Sequence, residues 1–275
     1  FSASIAEWSN SSNGIVMSVQ SSGAPDTAEP TGATLMQTVY VPLSMPPSAR
    51  NCSQAMGAAT PSGTCGGASL GAWRMSTVAR RRASARGSAE AIPLQPGDGW
   101  LLSLPLFHVG GYAIPWRCFL AGACVVLPNP ECSLSEHLLG GAITHLSLVP
   151  TQLYRLLQSP NFRLEQTAVR HLLLGGAPIP ASLVAACQAQ GVTPQVSYGL
   201  SEMATQVCTR YADGHSASVG TPLPGRELKL VDGEICVRGT TLFAGYYREG
   251  ALEPALDAEG WFHTGDLGEF TADGD

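Results

Sequence analysis

The stretch that decides the fold is residues 169–180, which read Val-Arg-His-Leu-Leu-Leu-Gly-Gly-Ala-Pro-Ile-Pro. The apolar run that ends at Leu174 predicts a buried strand, and Pro180 predicts the start of a helix, where a missing N–H is harmless. Between them lies the turn Gly175-Gly176-Ala177-Pro178. This turn places bare backbone at the carboxyl end of a strand, where α/β proteins usually hold ligands, although a plain strand-to-helix turn fits it equally well.

Working outward, short apolar segments alternate with helical patterns from about residue 91. Buried strands are predicted at Trp100–Leu106, Ala123–Leu127, His145–Val149, Val169–Leu174 and Gln195–Tyr198, and helices at Thr151–Gln158 and Pro180–Gln190. Such alternation is typical of an α/β fold with a mostly parallel sheet and flanking helices. Farther on, Asp232-Gly233 between two apolar runs predicts a type I′ hairpin, and with it a small antiparallel β unit.

Composition excludes several classes of function. The 275 residues carry 15 basic against 21 acidic side chains, so we expect no nucleic-acid partner. We also expect no membrane span, because the most apolar region, residues 113–127, is interrupted by Arg117. The eight cysteines form no Cys-x-x-Cys pair, which favours a reducing, cytoplasmic location. The chain begins at Phe1 without a signal sequence, so we interpret it as a fragment of a cytoplasmic protein.

The first 90 residues differ in amino-acid composition from the rest. From Ser11 to Ser88 they are rich in Ser, Ala, Gly, Thr and Pro, and only Met36–Leu43 resembles a strand there. We interpret residues 1–90 as a disordered arm or, for about 15–85, as an out-of-frame translation. Residues 91–222 are predicted to form the ligand-binding α/β subdomain, and residues 223–275 a small β subdomain.

A second polar segment, Tyr198-Gly199-Leu200-Ser201-Glu202, follows another predicted strand. The aromatic ring beside a glycine is suited to stacking on a base, and Ser201 and Glu202 offer oxygen ligands to Mg²⁺. Equally, the same two residues are suited to beginning a helix.

His108 ends the apolar run 104–107 and precedes a glycine pair. A titratable group at a strand end is a candidate site residue, though a histidine with apolar neighbours is more often structural. The other five histidines, at positions 137, 145, 171, 215 and 263, have no partner at catalytic spacing and are assigned structural or surface roles.

Asp266 follows Gly265 in the segment Trp261–Asp266. A carboxylate accepts hydrogen bonds from paired hydroxyls such as those of a ribose, whereas an ordinary turn aspartate is the alternative.

Taken together, five segments resemble successive motifs of the adenylate-forming superfamily of acyl-CoA synthetases, adenylation domains and luciferases. They are Leu104–Gly111, Gly175–Pro178, Tyr198–Glu202, Gly233–Gly239 with Gly245-Tyr246, and Trp261–Asp266. Strings within 100–111, 147–153, 172–179 and 219–226 are most similar to the branch that activates o-succinylbenzoate in menaquinone biosynthesis. The resemblance covers about residues 84–275.

The resemblance implies an ATP-dependent acid–CoA ligase that uses Mg²⁺ and coenzyme A and takes a carboxylic acid, in this branch o-succinylbenzoate. Glu202 would hold Mg²⁺, with Ser201 near the phosphates. The turn 175–178, with Tyr198 and Gly199, would enclose adenine, and Asp266 would bind the ribose. His108 would meet the acyl carboxylate.

The sequence also departs from the family pattern. Lys229 is the sole lysine, Thr60–Gly67 is a remnant at best of the phosphate loop, and residue 275 lies where the family continues into a hinge and a C-terminal domain. We therefore expect a partial copy of the enzyme core with reduced or no activity. An acyl-CoA synthetase for another acid and a non-catalytic nucleotide-binding remnant are the alternatives, and the oligomeric state stays open.

Overall fold

The chain divides into two units, residues 1–69 and residues 70–275, in the computed structural model. The structure describes residues 2–11, 14–22, 39–42, 73–248 and 251–271. Strands β1 (Ser2–Ser11), β2 (Gly14–Ser22) and β3 (Val39–Pro42) form an antiparallel sheet in the first unit. The expectation that only Met36–Leu43 forms a strand between Ser11 and Ser88 was wrong, because β2 also lies there, although β3 does lie within Met36–Leu43. The segment Thr60–Gly67 lies outside the described residues.

The second unit holds the larger sheet and all the described helices. Its helices are α1 (Val78–Ala91), α2 (Val109–Ala121), α3 (Leu134–Leu139), α4 (Pro150–Leu157) and α5 (Ala181–Gln188), with 3₁₀ turns at Leu164–Gln166 and Ser201–Met203. Its first strands are β4 (Trp73–Met75), β5 (Gly99–Leu101), β6 (Cys124–Val126), β7 (His145–Leu148), β8 (His171–Leu174), β9 (Gln195–Leu200) and β10 (Thr205–Tyr211). The later strands are β11 (Arg226–Val231), β12 (Glu234–Gly239), β13 (Gly245–Arg248), β14 (Ala251–Glu253) and β15 (Phe262–Leu267).

Six strands form the central sheet in the order β10-β9-β8-β7-β5-β6. The neighbouring strands from β6 to β9 pair in parallel, and β10 pairs with β9 in the antiparallel sense at one edge. This confirms the predicted α/β fold with a mostly parallel sheet. Because parallel strands end at the same edge, the segments after β5, β7, β8 and β9 meet there.

The strand predicted over Trp100–Leu106 was too long, since β5 ends at Leu101. The Ser103 amide donates to the Leu101 carbonyl at 2.8 Å, and its hydroxyl donates to the Ser147 carbonyl at 2.5 Å. These bonds turn the chain out of the sheet ladder, so residues 102–108 form a loop above the strand end.

The core lies on both faces of this sheet, as expected for strands that read as continuous apolar runs. Leu146, Leu172 and Leu174 are fully buried among the residues that α4 and α5 cover. Trp100, Ile114 and Cys118 form a second cluster, in which α2 packs against β5. Both faces are thus closed, which leaves the strand ends as the exposed edge of the sheet.

Helix α1 crosses the boundary that the sequence suggested at residue 90. Thr77 caps its N-terminus by accepting a hydrogen bond from the Arg80 amide, and Ser84 and Ser88 are buried. The Ser84 hydroxyl donates to the Ala204 carbonyl at 3.1 Å, across the helix–sheet interface. The α/β unit therefore extends upstream at least to this helix, into the segment that we had interpreted as disordered or out of frame.

Two small antiparallel sheets complete the second unit, in the orders β11-β12-β15 and β14-β13-β4. Asp232 and Gly233 have φ angles of 51° and 84°, as a type I′ turn requires, so the predicted hairpin is confirmed. Within the described residues, no helix has the length and apolar character needed to cross a bilayer.

A pair of stacked histidines makes stability depend on pH. His145 is fully buried, contacts the Pro93 carbonyl at 2.9 Å, and stacks on His171 with ring centroids 4.6 Å apart. Burial is the main reason that the pKa of each imidazole is lowered. A histidine whose folded pKa is depressed stabilises the fold fully above its unfolded pKa of about 6.5, and this stability is lost as pH falls.

We therefore expect the free energy of unfolding to decrease between pH 7.5 and 5.5, and His171→Gln to reduce that decrease. Urea unfolding followed by tryptophan fluorescence at the two pH values measures it. His215→Gln, in an exposed loop, is the control and should keep the wild-type dependence. An equal pH dependence in wild type and His171→Gln would contradict the assignment.

A glycine in the first turn of α2 permits close approach to the loop that precedes it. A Cβ at Gly111 would overlap the Pro105 carbonyl oxygen, whereas a Cβ at Gly110 would meet only a Leu104 methyl at 3.2 Å. We expect Gly111→Ala to destabilise the protein by about 1–3 kcal/mol through overpacking against backbone. Gly110→Ala is the matched control and should be neutral or stabilising by up to about 1 kcal/mol, since alanine favours helix. Urea denaturation compares the two variants, and equal stabilities would refute the packing argument.

Candidate active site

A cavity of about 430 Å³ opens at the carboxyl ends of β7, β8 and β9, with α2 and its preceding loop forming another wall. Five of the predicted site residues line it, namely His108, Gly175, Gly176, Gly199 and Ser201. The other five, Ala177, Pro178, Tyr198, Glu202 and Asp266, are not among the lining residues. Ala177, Tyr198 and Glu202 adjoin a lining residue in the chain, Pro178 lies two positions beyond Gly176, and Asp266 is hydrogen-bonded to Tyr198. The ligand roles assigned to these ten residues remain predictions.

His108 stands at the mouth of the cavity, at the N-terminus of α2. Its backbone is the N-cap of the helix, and its exposed imidazole contacts the Phe107 ring with centroids 4.5 Å apart. The side chain makes no capping hydrogen bond. It is therefore available to meet an anion that enters between the helix start and the sheet edge.

The turn after β8 presents open backbone to the cavity. Gly176 has a φ angle of +79°, which favours glycine, and a Cβ on Gly175 would lie 3.3 Å from the Ser197 carbonyl oxygen. Residues 176–178 are exposed. The turn can thus lie against a flat ring and offer it main-chain hydrogen-bonding groups.

Tyr198 and Asp266 are joined by a direct hydrogen bond, in which the phenol donates to Oδ2 at 2.7 Å. Burial, followed by this carboxylate, raises the pKa of Tyr198. The Asp266 amide also donates to Thr264 Oγ1 at 3.1 Å, which fixes the end of β15. Asp266, distant in sequence from the other predicted residues, is thereby held beside β9.

Glu202 lies in the 3₁₀ turn that follows β9 and is 6% exposed. Its Oε1 accepts a hydrogen bond of 3.0 Å from the Tyr246 hydroxyl, so the Gly245-Tyr246 motif contacts the Tyr198–Glu202 motif. A buried carboxylate that follows a serine in the chain has the oxygen chemistry that a hard cation requires. The donor set therefore fits Mg²⁺ at Glu202.

The sequence did not single out Arg117 as a site residue, yet this side chain lines the cavity and is 6% exposed. It donates to Gln206 Oε1 at 2.6 Å and to Thr205 Oγ1 at 3.3 Å, and its guanidinium lies 5.1 Å from the Trp100 ring centroid. Within the described part of the chain, its Nε has no hydrogen-bond partner. The signal in the sequence was a single charge within an apolar helix.

A second buried cation lies behind the first. Arg226 donates to the Gln206 carbonyl at 2.8 Å and to the Ser84 hydroxyl at 3.1 Å. Burial, and then the charge of Arg226, lower the pKa of Arg117 to about 10, and burial lowers that of Arg226 to about 10. Both guanidinium groups remain charged at neutral pH, and Arg117 brings its positive charge to the cavity wall.

The backbone between Glu202 and Gln206 is strained. Ala204 has a φ angle of 57° and Thr205 one of 141°, values that are unfavourable for a residue with a side chain and most of all for a β-branched one. Strain of this kind persists where the surroundings impose it, and it clusters at functional sites. Here it directs the Thr205 hydroxyl between Ser84 at 3.1 Å and Arg117.

Comparison with known proteins agrees with this geometry. Residues 75–247 match the AMP-binding enzyme family. The 2-succinylbenzoate–CoA ligase of Salmonella typhimurium is 44% identical over 206 residues, 75% of this chain and 44% of the relative, and that of Escherichia coli is 43% identical over the same shares. The chain thus spans less than half the length of these curated relatives.

Solved structures give the same result. E. coli MenE bound to an analogue of OSB-AMS is 43% identical with a TM-score of 0.63, covering 71% of this chain and 43% of that one. The Bacillus subtilis o-succinylbenzoate coenzyme A synthetase in complex with ATP and magnesium is 32% identical with a TM-score of 0.63, covering 72% and 44%. The family match extends over more than half of the chain, which therefore belongs to the AMP-binding enzymes of the adenylate-forming superfamily.

Proposed function

We propose that this chain is the nucleotide- and acid-binding core of a 2-succinylbenzoate–CoA ligase. The reaction has two steps. A carboxylate oxygen attacks the α-phosphorus of ATP to give an acyl-adenylate and pyrophosphate; the sulfur of coenzyme A then attacks the acyl carbon, loses its proton, and releases AMP. Curated relatives of that name support the proposal. A cytoplasmic location is part of it, and suits the six described cysteines, which are free thiols.

The observation that carries the choice of acid is the buried Arg117. 2-Succinylbenzoate has two carboxylates, of which one reacts and the other must be desolvated within the cavity. A buried carboxylate needs a charged, hydrogen-bonded partner. Arg117 lines the cavity, and its described hydrogen-bond partners are neutral oxygens. Its guanidinium therefore supplies the charge that the non-reacting carboxylate requires.

The nucleotide would lie along the β8 and β9 ends. The open turn 175–178 and the Tyr198 ring are placed to enclose the base, with Gly199 exposed beside them. Asp266, held by the Tyr198 hydroxyl, accepts hydrogen bonds from the ribose hydroxyls. Ser201 lines the cavity on the side where the phosphates would lie.

Charge repulsion is the main barrier in the first step, because an anionic nucleophile approaches a polyanionic triphosphate. Mg²⁺, held by Glu202, would supply neutralisation of the phosphate charge. His108 at the mouth would orient the incoming carboxylate as a hydrogen-bond donor. His108 does not need to act as a general base, because the carboxylic acid substrate is already ionised at neutral pH.

The first test is release of pyrophosphate from ATP and Mg²⁺ in the presence of different acids, measured at stoichiometric enzyme. We expect release with 2-succinylbenzoate and none with benzoate, which lacks the second carboxylate. Release with other acids instead would identify an acyl-CoA synthetase of different specificity. ATP binding without release for any acid would identify a nucleotide-binding remnant.

The second test separates the acid site from the nucleotide site. We expect Arg117→Met to weaken binding of 2-succinylbenzoate about 30-fold or more, the ratio that corresponds to about 2 kcal/mol for losing one partner of a buried charge pair. Calorimetric titration measures it, with AMP affinity and circular dichroism as checks on folding. Arg155→Met, on the exposed face of α4, is the matched control and should bind as wild type. Unchanged acid affinity in Arg117→Met would refute the proposed role.

A further inference from the structure

A cluster of metal-ligating side chains lies in the small sheet β11-β12-β15, apart from the residues that line the cavity. Glu234, Cys236 and His263 place one carboxylate oxygen, one sulfur and one ring nitrogen within 4.8 Å of one another. Among the described residues, this is the single group of three or more such side chains. Carboxylate, thiolate and imidazole are the ligands that zinc takes in proteins.

The His263 ring nitrogen lies at the spacing of a zinc tetrahedron's edges from the other two ligand atoms. His263 Nδ1 lies 3.0 Å from Glu234 Oε2 and 3.4 Å from Cys236 Sγ. Zinc–ligand distances of about 2.0 Å for N and O and about 2.3 Å for S give tetrahedral edges of about 3.3 Å and 3.5 Å. Two of the three edges thus match to within a few tenths of an ångström, and the third pair, Glu234 and Cys236, lies within 4.8 Å.

Rigid backbone holds these side chains. Glu234 and Cys236 are two residues apart on β12 and so project from the same face. Cys236 and His263 are directly paired across β12 and β15. The three donor groups therefore converge because of strand register, without requiring a flexible loop to close.

Outer contacts complete the resemblance to a metal site. Asp257 Oδ2 lies 3.4 Å from His263 Nε2, the ring nitrogen that faces away from the other two ligands. Metal-bound histidines commonly donate that second N–H to a carboxylate. Asp257 is itself fixed by the amides of Glu259 and Trp261, and Glu234 Oε1 is held by the Gly265 amide at 2.8 Å.

Charge and access also fit. Two anionic ligands, Glu234 and the Cys236 thiolate, balance the charge of a divalent ion. Backbone amide hydrogen bonds, helped by the positive charge of Lys229, lower the pKa of Asp257, which keeps this supporting carboxylate ionised. The Cys236 side chain is buried, but His263 and Glu234 are 44% and 30% exposed, so the ion has a path from solvent and a water can take the fourth position.

We propose that Glu234, Cys236 and His263 form a zinc-binding site, with Asp257 as its supporting carboxylate. Binding converts the cysteine thiol to a metal thiolate and the imidazole to its neutral form, with the displaced protons released to solvent. The site uses none of the residues to which the proposed ligase reaction assigns a role.

Cobalt(II) titration of the metal-stripped protein tests it, because a cobalt thiolate has a charge-transfer absorption band and zinc competes for the same ligands. We expect one equivalent of Co²⁺ to produce the band and Zn²⁺ to abolish it. Cys236→Ser should lose the band, and Asp257→Asn, which keeps the acceptor oxygen, should weaken binding about 10- to 100-fold.

The control is Cys124→Ser, which changes an exposed cysteine and should leave the titration unchanged. His263→Gln gives a second ligand variant should Cys236→Ser fail to fold, and it should also lose saturable binding. A wild-type protein without a band at one equivalent, or a band that persists in both Cys236→Ser and His263→Gln, would overturn the proposal.

Discussion

Two guanidinium groups buried next to each other determine much of the second unit. Arg117 enters from α2 and Arg226 from β11, and Gln206 of β10 accepts hydrogen bonds from both, through its side chain and its carbonyl group. Burying a charge without a counter-ion is costly unless its N–H groups are satisfied. The neutral oxygens of residues 84, 205, 206 and 224 meet this requirement for most of the donors. Helix α2, the edge strand β10 and the hairpin strand β11 are thereby held in one hydrogen-bonded network beside the cavity.

That network also explains why helix α1 belongs with the rest of the unit. Ser84 accepts from Arg226 through its hydroxyl and its carbonyl oxygen, and contacts Thr205 through the same hydroxyl. Gly87 makes the contact possible, because a Cβ there would overlap the Arg226 guanidinium. A helix with no apolar stripe can still dock firmly when its small side chains satisfy a buried cation.

The sequence predicted the sheet well because its strands are buried on both faces and read as apolar runs, as in residues 171–174. It predicted the Asp232-Gly233 hairpin because that turn has a residue-specific backbone requirement. It failed on α1 and on Arg117 for related reasons. The interaction that positions both is between residues more than eighty positions apart, and neither a small-residue helix nor a lone arginine has a local period that reveals its partner. Likewise, strand β5 ends at Leu101 because the Ser103 hydroxyl bonds to Ser147 of β7, a contact that the local sequence does not reveal.

Ala204 and Thr205 have positive φ angles. At this turn, the stability of the fold and the orientation of the Thr205 side chain favour different residues. A glycine at either position would relax the backbone and make the fold easier to form. Glycine at 204 would free the Thr205 hydroxyl from its place between Ser84 and Arg117, and glycine at 205 would remove that hydroxyl. In either case the Arg117 guanidinium would lose a contact that fixes its direction. Selection for a more stable fold and selection for a precisely oriented Arg117 in the cavity would therefore favour different residues at positions 204 and 205.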